Sequence, residues 1–147
     1  MRRTQALVVL TFFLAPVFAG EQPYIYQTED GVAIRGYDAV AYMTLGKAVK
    51  GDEDFSYEWK NATWYFSSAA HLEVFKGEPE KFAPQFGGYC AYAVGNNYLY
   101  RSDPKYWRIV NGKLYLNANR QAQELWSQDI PGYIEKGNTN WPAVLGK

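Results

Sequence analysis

Aromatic residues recur at every second position in one stretch of this chain. Phe55, Tyr57 and Trp59 are separated by single polar residues, and Trp64 and Phe66 repeat the spacing after a short break. Alternate side chains of a strand point to the same face, so the stretch predicts a β-hairpin with its aromatic face turned inward. Because aromatic residues make up 18% of the sequence, such a face can bury a large core in a small domain.

A second hairpin is predicted around residue 111. The runs WRIV and KLYLN are joined by Asn111-Gly112, a pair that favours a type I′ turn because both residues tolerate positive φ. Residues 95–106, which precede this hairpin, predict a loop that closes at Asp103-Pro104.

Capping residues predict helices that follow the hairpins. Ser67 or Ser68 is a suitable N-cap for a helix that runs to about residue 76. Asn117 or Asn119 is a suitable N-cap for another that ends at about residue 128.

Proline and glycine suggest the bounds of a later helix. Pro131 predicts its first turn and Gly137 predicts its end. The chain shows no internal repeat and no linker. The sequence therefore predicts one α+β domain, in which a small antiparallel sheet of aromatic-rich hairpins packs with short helices.

Residues 1–19 have the composition of a cleaved export signal. A basic pair precedes the apolar run Ala6–Ala15, which is too short to span a bilayer, and a small-x-small cleavage pattern ends at Ala19. We therefore expect a mature domain over residues 20–147, with no membrane span and a periplasmic or secreted location.

Charge argues against one large class of function. The sequence has 15 basic and 15 acidic residues and a formal net charge of zero. A nucleic-acid binder would carry a basic face, so we expect no nucleic-acid partner. A phosphate-binding glycine loop is also missing from the sequence, so a nucleotide cofactor is not indicated.

Imidazole and thiol chemistry can come only from His71 and Cys90, the single histidine and single cysteine of the chain. One cysteine in an exported protein cannot form an internal disulfide. Cys90 is therefore buried and inert, paired with another molecule, or kept as a reactive or metal-binding thiol.

The residues around His71 resemble the YHS domain family, which is related to the TRASH-type metal-binding modules. The matching segments are YFSS at 65–68, FK at 75–76 and PEKF at 79–82. The flanking segments that resemble an exported bacterial branch of this family are GYDAVAY at 36–42, GGYCAY at 87–92 and the tail from Trp107 to Trp141. The resemblance covers nearly the whole mature chain.

The resemblance implies a metal site in which the ligands have changed. Family members with metal function carry two cysteines in the short motif, and Ser67 and His71 stand at their positions here. Serine is a poor ligand for a soft metal, whereas histidine is a good one. Cys90 lies outside the motif and could supply the lost sulfur.

Nitrogen from His71 and sulfur from Cys90 suit copper first and zinc second. Two ligands do not complete a tetrahedral site, so a third is expected. Asp38 or Met43 could provide it, and a thioether would favour Cu(I). Water or a second subunit could also fill the position.

Two other classes of function stay open at this point. A thiol enzyme would use His71 as base and Cys90 as nucleophile, with a carboxylate such as Asp38 orienting the ring. A binding or accessory module would have no chemistry and would offer an exposed aromatic groove to a ligand or partner protein. The sequence leaves open whether a protein partner or a homodimer is involved.

Overall fold

The structure, a computed structural model, describes residues 20–147. Its strands are β1 (Asp52–Trp59), β2 (Ala62–Phe66), β3 (Asp103–Val110) and β4 (Lys113–Asn117). Its α-helices are α1 (Ala41–Thr44), α2 (Ala69–Gly77), α3 (Pro79–Phe82), α4 (Ala91–Gly95), α5 (Arg120–Ser127) and α6 (Ile130–Asn140). Short 3-10 turns cover Ile34–Gly36, Gln85–Gly88 and Ala143–Gly146. The predicted α+β class is confirmed, with the strands in two separate antiparallel hairpins.

The first predicted hairpin is formed by β1 and β2. Tyr57 pairs with Trp64 across the ladder. The turn residues Lys60 and Asn61 have positive φ angles of 49° and 59°. Trp64 and Phe66 are fully buried, so the inward-facing aromatic surface is confirmed.

The second predicted hairpin is formed by β3 and β4. Ile109 pairs with Leu114, and Asn111 and Gly112 both have positive φ, 51° and 73°. Positive φ at both central residues is the requirement of a type I′ turn. Leu114 and Leu116 are fully buried, which makes β4 a core strand.

Strand β4 lies between two aromatic clusters. The first cluster surrounds Phe75 of α2, whose ring centroid is 5.0 Å from that of Trp64. The second surrounds Tyr115 and Trp126, whose centroids are 5.5 Å apart. Leu114 belongs to the first cluster and Tyr115 to the second. Successive side chains of a strand point to opposite faces, so β4 joins the two clusters into one core.

Both predicted helix caps are present. The Ser68 hydroxyl accepts a hydrogen bond from the backbone N–H of His71 at 3.1 Å, at the start of α2. The side chain of Asn119 accepts one from the backbone N–H of Ala122 at 2.9 Å, at the start of α5. Each cap satisfies a backbone donor that has no partner within its helix.

The predicted end of the last helix at Gly137 is wrong, since α6 continues to Asn140. Gly137 is buried, and a Cβ atom at this position would lie only 2.5 Å from Cζ of Phe86. The glycine therefore lets an aromatic ring pack against the helix and does not end it.

The predicted loop over residues 95–106 is too long at both ends. Helix α4 includes Gly95, and β3 already begins at Asp103. A Cβ atom on Gly95 would lie 3.0 Å from Cδ1 of Tyr133 in α6. Close packing against α6 therefore supports a short helix that local sequence does not indicate.

Within residues 20–147 no helix has both the length and the hydropathy to cross a bilayer. The predicted export signal, residues 1–19, lies outside the described residues.

Candidate functional site

A buried carboxylate, Asp38, lies at the centre of the candidate site. The residue is 0% exposed and follows Gly36, which takes a φ of 81°. Its Oδ1 accepts hydrogen bonds from the backbone N–H groups of Val40 at 2.9 Å and Ala41 at 3.3 Å. These bonds fix the carboxylate against the start of α1.

The second oxygen of Asp38 connects this loop to the start of α2. Oδ2 accepts from the backbone N–H of Ser67 at 2.9 Å and from its hydroxyl at 2.5 Å. Nδ1 of His71 lies 2.6 Å from the same oxygen. Asp38 therefore holds both Ser67 and His71 in place. It is separated from His71 by 33 positions in the chain.

His71 lies in the first turn of α2, where the Ser68 cap fixes its backbone. Its side chain is 17% exposed. Because a carboxylate only accepts hydrogen bonds, the contact with Asp38 assigns a proton to Nδ1. In the neutral ring Nε2 then carries the lone pair.

Thr44 is the neighbour of that lone pair. Its Oγ1 lies 3.4 Å from Nε2 of His71 and donates its own hydrogen bond to the carbonyl of Val40 at 3.0 Å. The Thr44 hydroxyl can donate to Val40 or to Nε2, and when it donates to Val40 the lone pair of Nε2 stays free. This arrangement leaves Nε2 able to bind an electrophile or a cation.

Ser67 does not complete a serine hydrolase triad with this pair. Its hydroxyl donates to Asp38 and lies 3.5 Å from Nδ1 of His71. A catalytic serine must instead contact the ring nitrogen that is not bonded to the carboxylate. The role of Ser67 is to hold the carboxylate.

Met43, which the sequence suggests as a further ligand, precedes Thr44 in α1. Its side chain is partly buried and packs against the first aromatic cluster. A ligand role for Met43 stays a prediction.

Cys90, the other predicted ligand, has different partners. It is 1% exposed, and its Sγ donates to Oδ1 of Asn117 at 3.5 Å. Burial raises the pKa of the Cys90 thiol, so the protonated form is favoured near neutral pH. Among residues 20–147 no hydrogen bond joins Cys90 to His71 or Asp38.

The described part of the chain contains no group of three or more His, Cys, Asp or Glu side chains that could hold a metal ion. The predicted ligands His71, Cys90 and Asp38 are therefore not assembled as a single group. The structure brings together Asp38 and His71 and adds Thr44 and Ser67.

No family model, curated protein or solved structure matches this chain. The resemblance to the YHS family thus stays a prediction, and the site is interpreted from its own geometry.

Thr44 was not selected from the sequence, and Ser67 was considered as a helix cap and as the residue at a cysteine position of the YHS motif. Thr44 lies 27 residues from His71 in the chain. No local pattern marks such a contact. The position of Asp38, two residues before Val40, is a local signal for its hydrogen bonds at the start of α1. Asp at this offset commonly accepts from the first backbone donors of a helix.

Proposed function

We propose that this protein is an exported binding domain that captures a zinc or copper ion through Nε2 of His71, with Asp38 orienting the ring. The observation that carries the proposal is the 2.6 Å contact between Nδ1 of His71 and Oδ2 of the fully buried Asp38. Histidines that bind metals commonly donate their other ring N–H to a carboxylate, which fixes the tautomer and raises the basicity of the ligand nitrogen.

Thr44 supports the same proposal through its distance from the imidazole. A tetrahedral ion with bonds of about 2.0–2.1 Å holds neighbouring ligands about 3.3 Å apart. The 3.4 Å separation of Thr44 Oγ1 and His71 Nε2 is close to that value. Because a hydroxyl oxygen is a harder ligand than a thiolate, we propose zinc ahead of copper, the reverse of the order that a His/Cys pair favours.

Asp38 serves this proposal better as an orienting residue than as a direct ligand. Its two oxygens already accept from Val40, Ala41 and Ser67 besides His71. Direct coordination would require several of these bonds to break. Water, Met43 or a second molecule is left to complete the coordination.

Cys90 has no part in the proposed site. A thiol must lose its proton to bind a metal or act as a nucleophile, and burial disfavours that step by raising the pKa of Cys90. The same property argues against a thiol enzyme that uses His71 as base.

The proposal is tested by zinc and Cu(I) competition titrations on purified, tag-free protein. We expect His71→Gln to abolish specific binding and Asp38→Asn to weaken it by about 10–100-fold. Thr44→Val, which keeps the side-chain shape without the oxygen, should weaken zinc binding more than Cu(I) binding. Circular dichroism of each variant checks that it folds.

Cys90→Ala is the matched control and should leave the affinity within about twofold, since the thiol is not a ligand here. Unchanged affinity in His71→Gln contradicts the proposal. If Cys90→Ala loses metal binding and His71→Gln keeps it, the thiol is the ligand, and this result also contradicts the proposal.

A further inference from the structure

An open groove lies on the part of the surface formed by the N-terminal segment, the loop after α4 and the C-terminal turn. Its volume is about 650 Å³, within the range of about 300–1,000 Å³ typical of small-molecule sites. His71, Asp38 and Thr44 do not line it, so the groove is separate from the proposed metal site.

Backbone and side-chain hydrogen bonds hold the walls of the groove in place. The hydroxyl of Tyr89 donates to the carbonyl of Pro23 at 2.7 Å, and the N–H of Tyr26 donates to the carbonyl of Gly87 at 2.8 Å. The carbonyl of Tyr100, another lining residue, accepts from the backbone N–H of Cys90 at 3.0 Å. A groove fixed in this way is largely preformed, which lowers the ordering cost of binding.

Two tyrosines that line the groove are exposed. Tyr98 and Tyr100 each keep 47% of their surface accessible, while Leu99 between them packs against the second aromatic cluster. Large aromatic side chains that are held outward by a half-buried neighbour such as Leu99 provide flat surfaces for a planar ligand. Tyr26 and Tyr89, with ring centroids 5.4 Å apart, add aromatic surface to the same groove.

The charged side chains that line the groove are all positive. Arg101 and Lys147 are among its lining residues, and no Asp or Glu is. The Arg101 guanidinium lies 5.5 Å from the centroid of the Tyr100 ring. No carboxylate of residues 20–147 forms a salt bridge with Arg101. An arginine without an ion-pair partner beside an aromatic face is suited to bind a carboxylate bidentately.

We propose that this groove is a binding site for a small aromatic carboxylate. The ring of the ligand stacks on Tyr98 and Tyr100, and its carboxylate pairs with Arg101. This gives the chain a second ligand site, which is independent of the metal ion at His71.

The probe for the test is 1-naphthoate, and 1-naphthalenemethanol is its neutral analogue, both titrated calorimetrically into the full chain. We expect naphthoate to bind at least about tenfold more tightly than the alcohol, because a hydrogen bond to a charged group adds this much or more. Arg101→Gln should erase the preference. Arg120→Gln removes an exposed arginine of α5 outside the groove and should preserve it.

Stacking is tested by a pair of double variants. Tyr98→Ala with Tyr100→Ala should weaken both probes, and Tyr98→Phe with Tyr100→Phe should retain both, because the phenyl rings remain. The same two tyrosines also line a smaller cavity of about 230 Å³ that reaches Cys90. Arg101 lines only the larger groove, so its substitution distinguishes the two locations.

Several results would overturn the proposal. They are the absence of saturable naphthoate binding, equal affinity for the acid and the alcohol, and an Arg101→Gln variant that keeps the preference for the acid. Binding that depends on the tyrosines but not on Arg101 also overturns it, and instead indicates a neutral ligand.

Discussion

Replacing Asp38 by asparagine is expected to lower the free energy of unfolding by about 2–4 kcal/mol. Asparagine has nearly the same shape as aspartate, so the change tests the hydrogen bonds and the charge and leaves the packing volume almost constant. The remaining oxygen can still accept from Val40 and Ala41, as Oδ1 of Asp38 does.

The size of this loss in unfolding free energy follows from the groups that surround Oδ2. An amide NH₂ in place of Oδ2 faces three donors that bond to this oxygen in the native protein, the N–H and the hydroxyl of Ser67 and Nδ1–H of His71. The Ser67 hydroxyl can rotate and accept from the amide, so two donors lose their acceptor beside a carboxyl group that is fully buried. Each buried donor without a partner costs about 1–3 kcal/mol, and relaxation of the partly exposed His71 recovers some of the sum.

Urea denaturation followed by tryptophan fluorescence measures the effect, with His71→Gln and the double variant completing a thermodynamic cycle. The cycle should give a coupling energy of at least about 1 kcal/mol, the size expected for residues in one hydrogen-bond network. A change below about 0.5 kcal/mol for Asp38→Asn, or additive effects in the cycle, would refute the reasoning, because such values are typical of surface substitutions.

Gly137→Ala should destabilise the protein by about 1–3 kcal/mol, because the added methyl overlaps the Phe86 ring. Gly77→Ala is its control, since no atom lies within 4 Å of a Cβ there; equal unfolding midpoints for the two variants would show that Phe86 does not restrict residue 137. Cys90 should react with a thiol reagent at pH 8 much more slowly in the native protein than in urea, because burial limits access and raises its pKa. Native labelling at the unfolded rate would show that the thiol is accessible.

Local sequence patterns were sufficient to predict the elements that neighbouring residues determine. The alternation around Trp64 and the Asn111-Gly112 pair act within a few residues, so both hairpins could be predicted. The caps at Ser68 and Asn119 depend on a donor three residues away. These features required no knowledge of the rest of the chain.

Features produced by distant contacts could not be read in the same way. Gly137 resembles a helix end in the sequence, yet the residue is a glycine because the Phe86 ring leaves no room for a Cβ atom there. The helix that contains Gly95 depends on packing against Tyr133 of α6, and no residue near Gly95 indicates it.

The candidate site combines residues that the sequence identifies locally with a contact between distant parts of the chain. His71 and Asp38 were each identifiable from residue type and position, but their contact spans 33 residues. The pairing of His71 with Cys90 rested on their being the only imidazole and the only thiol. The structure instead gives the thiol Asn117 as its partner, 27 residues away.

The central claim is that Asp38 holds the His71 imidazole so that Nε2 binds a metal ion. His71 is the only histidine, so a long-range ¹H–¹⁵N spectrum of tag-free protein contains one imidazole system and needs no assignment by mutation. Before metal is added, Nδ1 should carry the proton and Nε2 a free lone pair. On titration with zinc, the Nε2 resonance should shift and saturate while Nδ1 stays protonated. An imidazole spectrum that zinc leaves unchanged, or metal bound at Nδ1, would contradict the account.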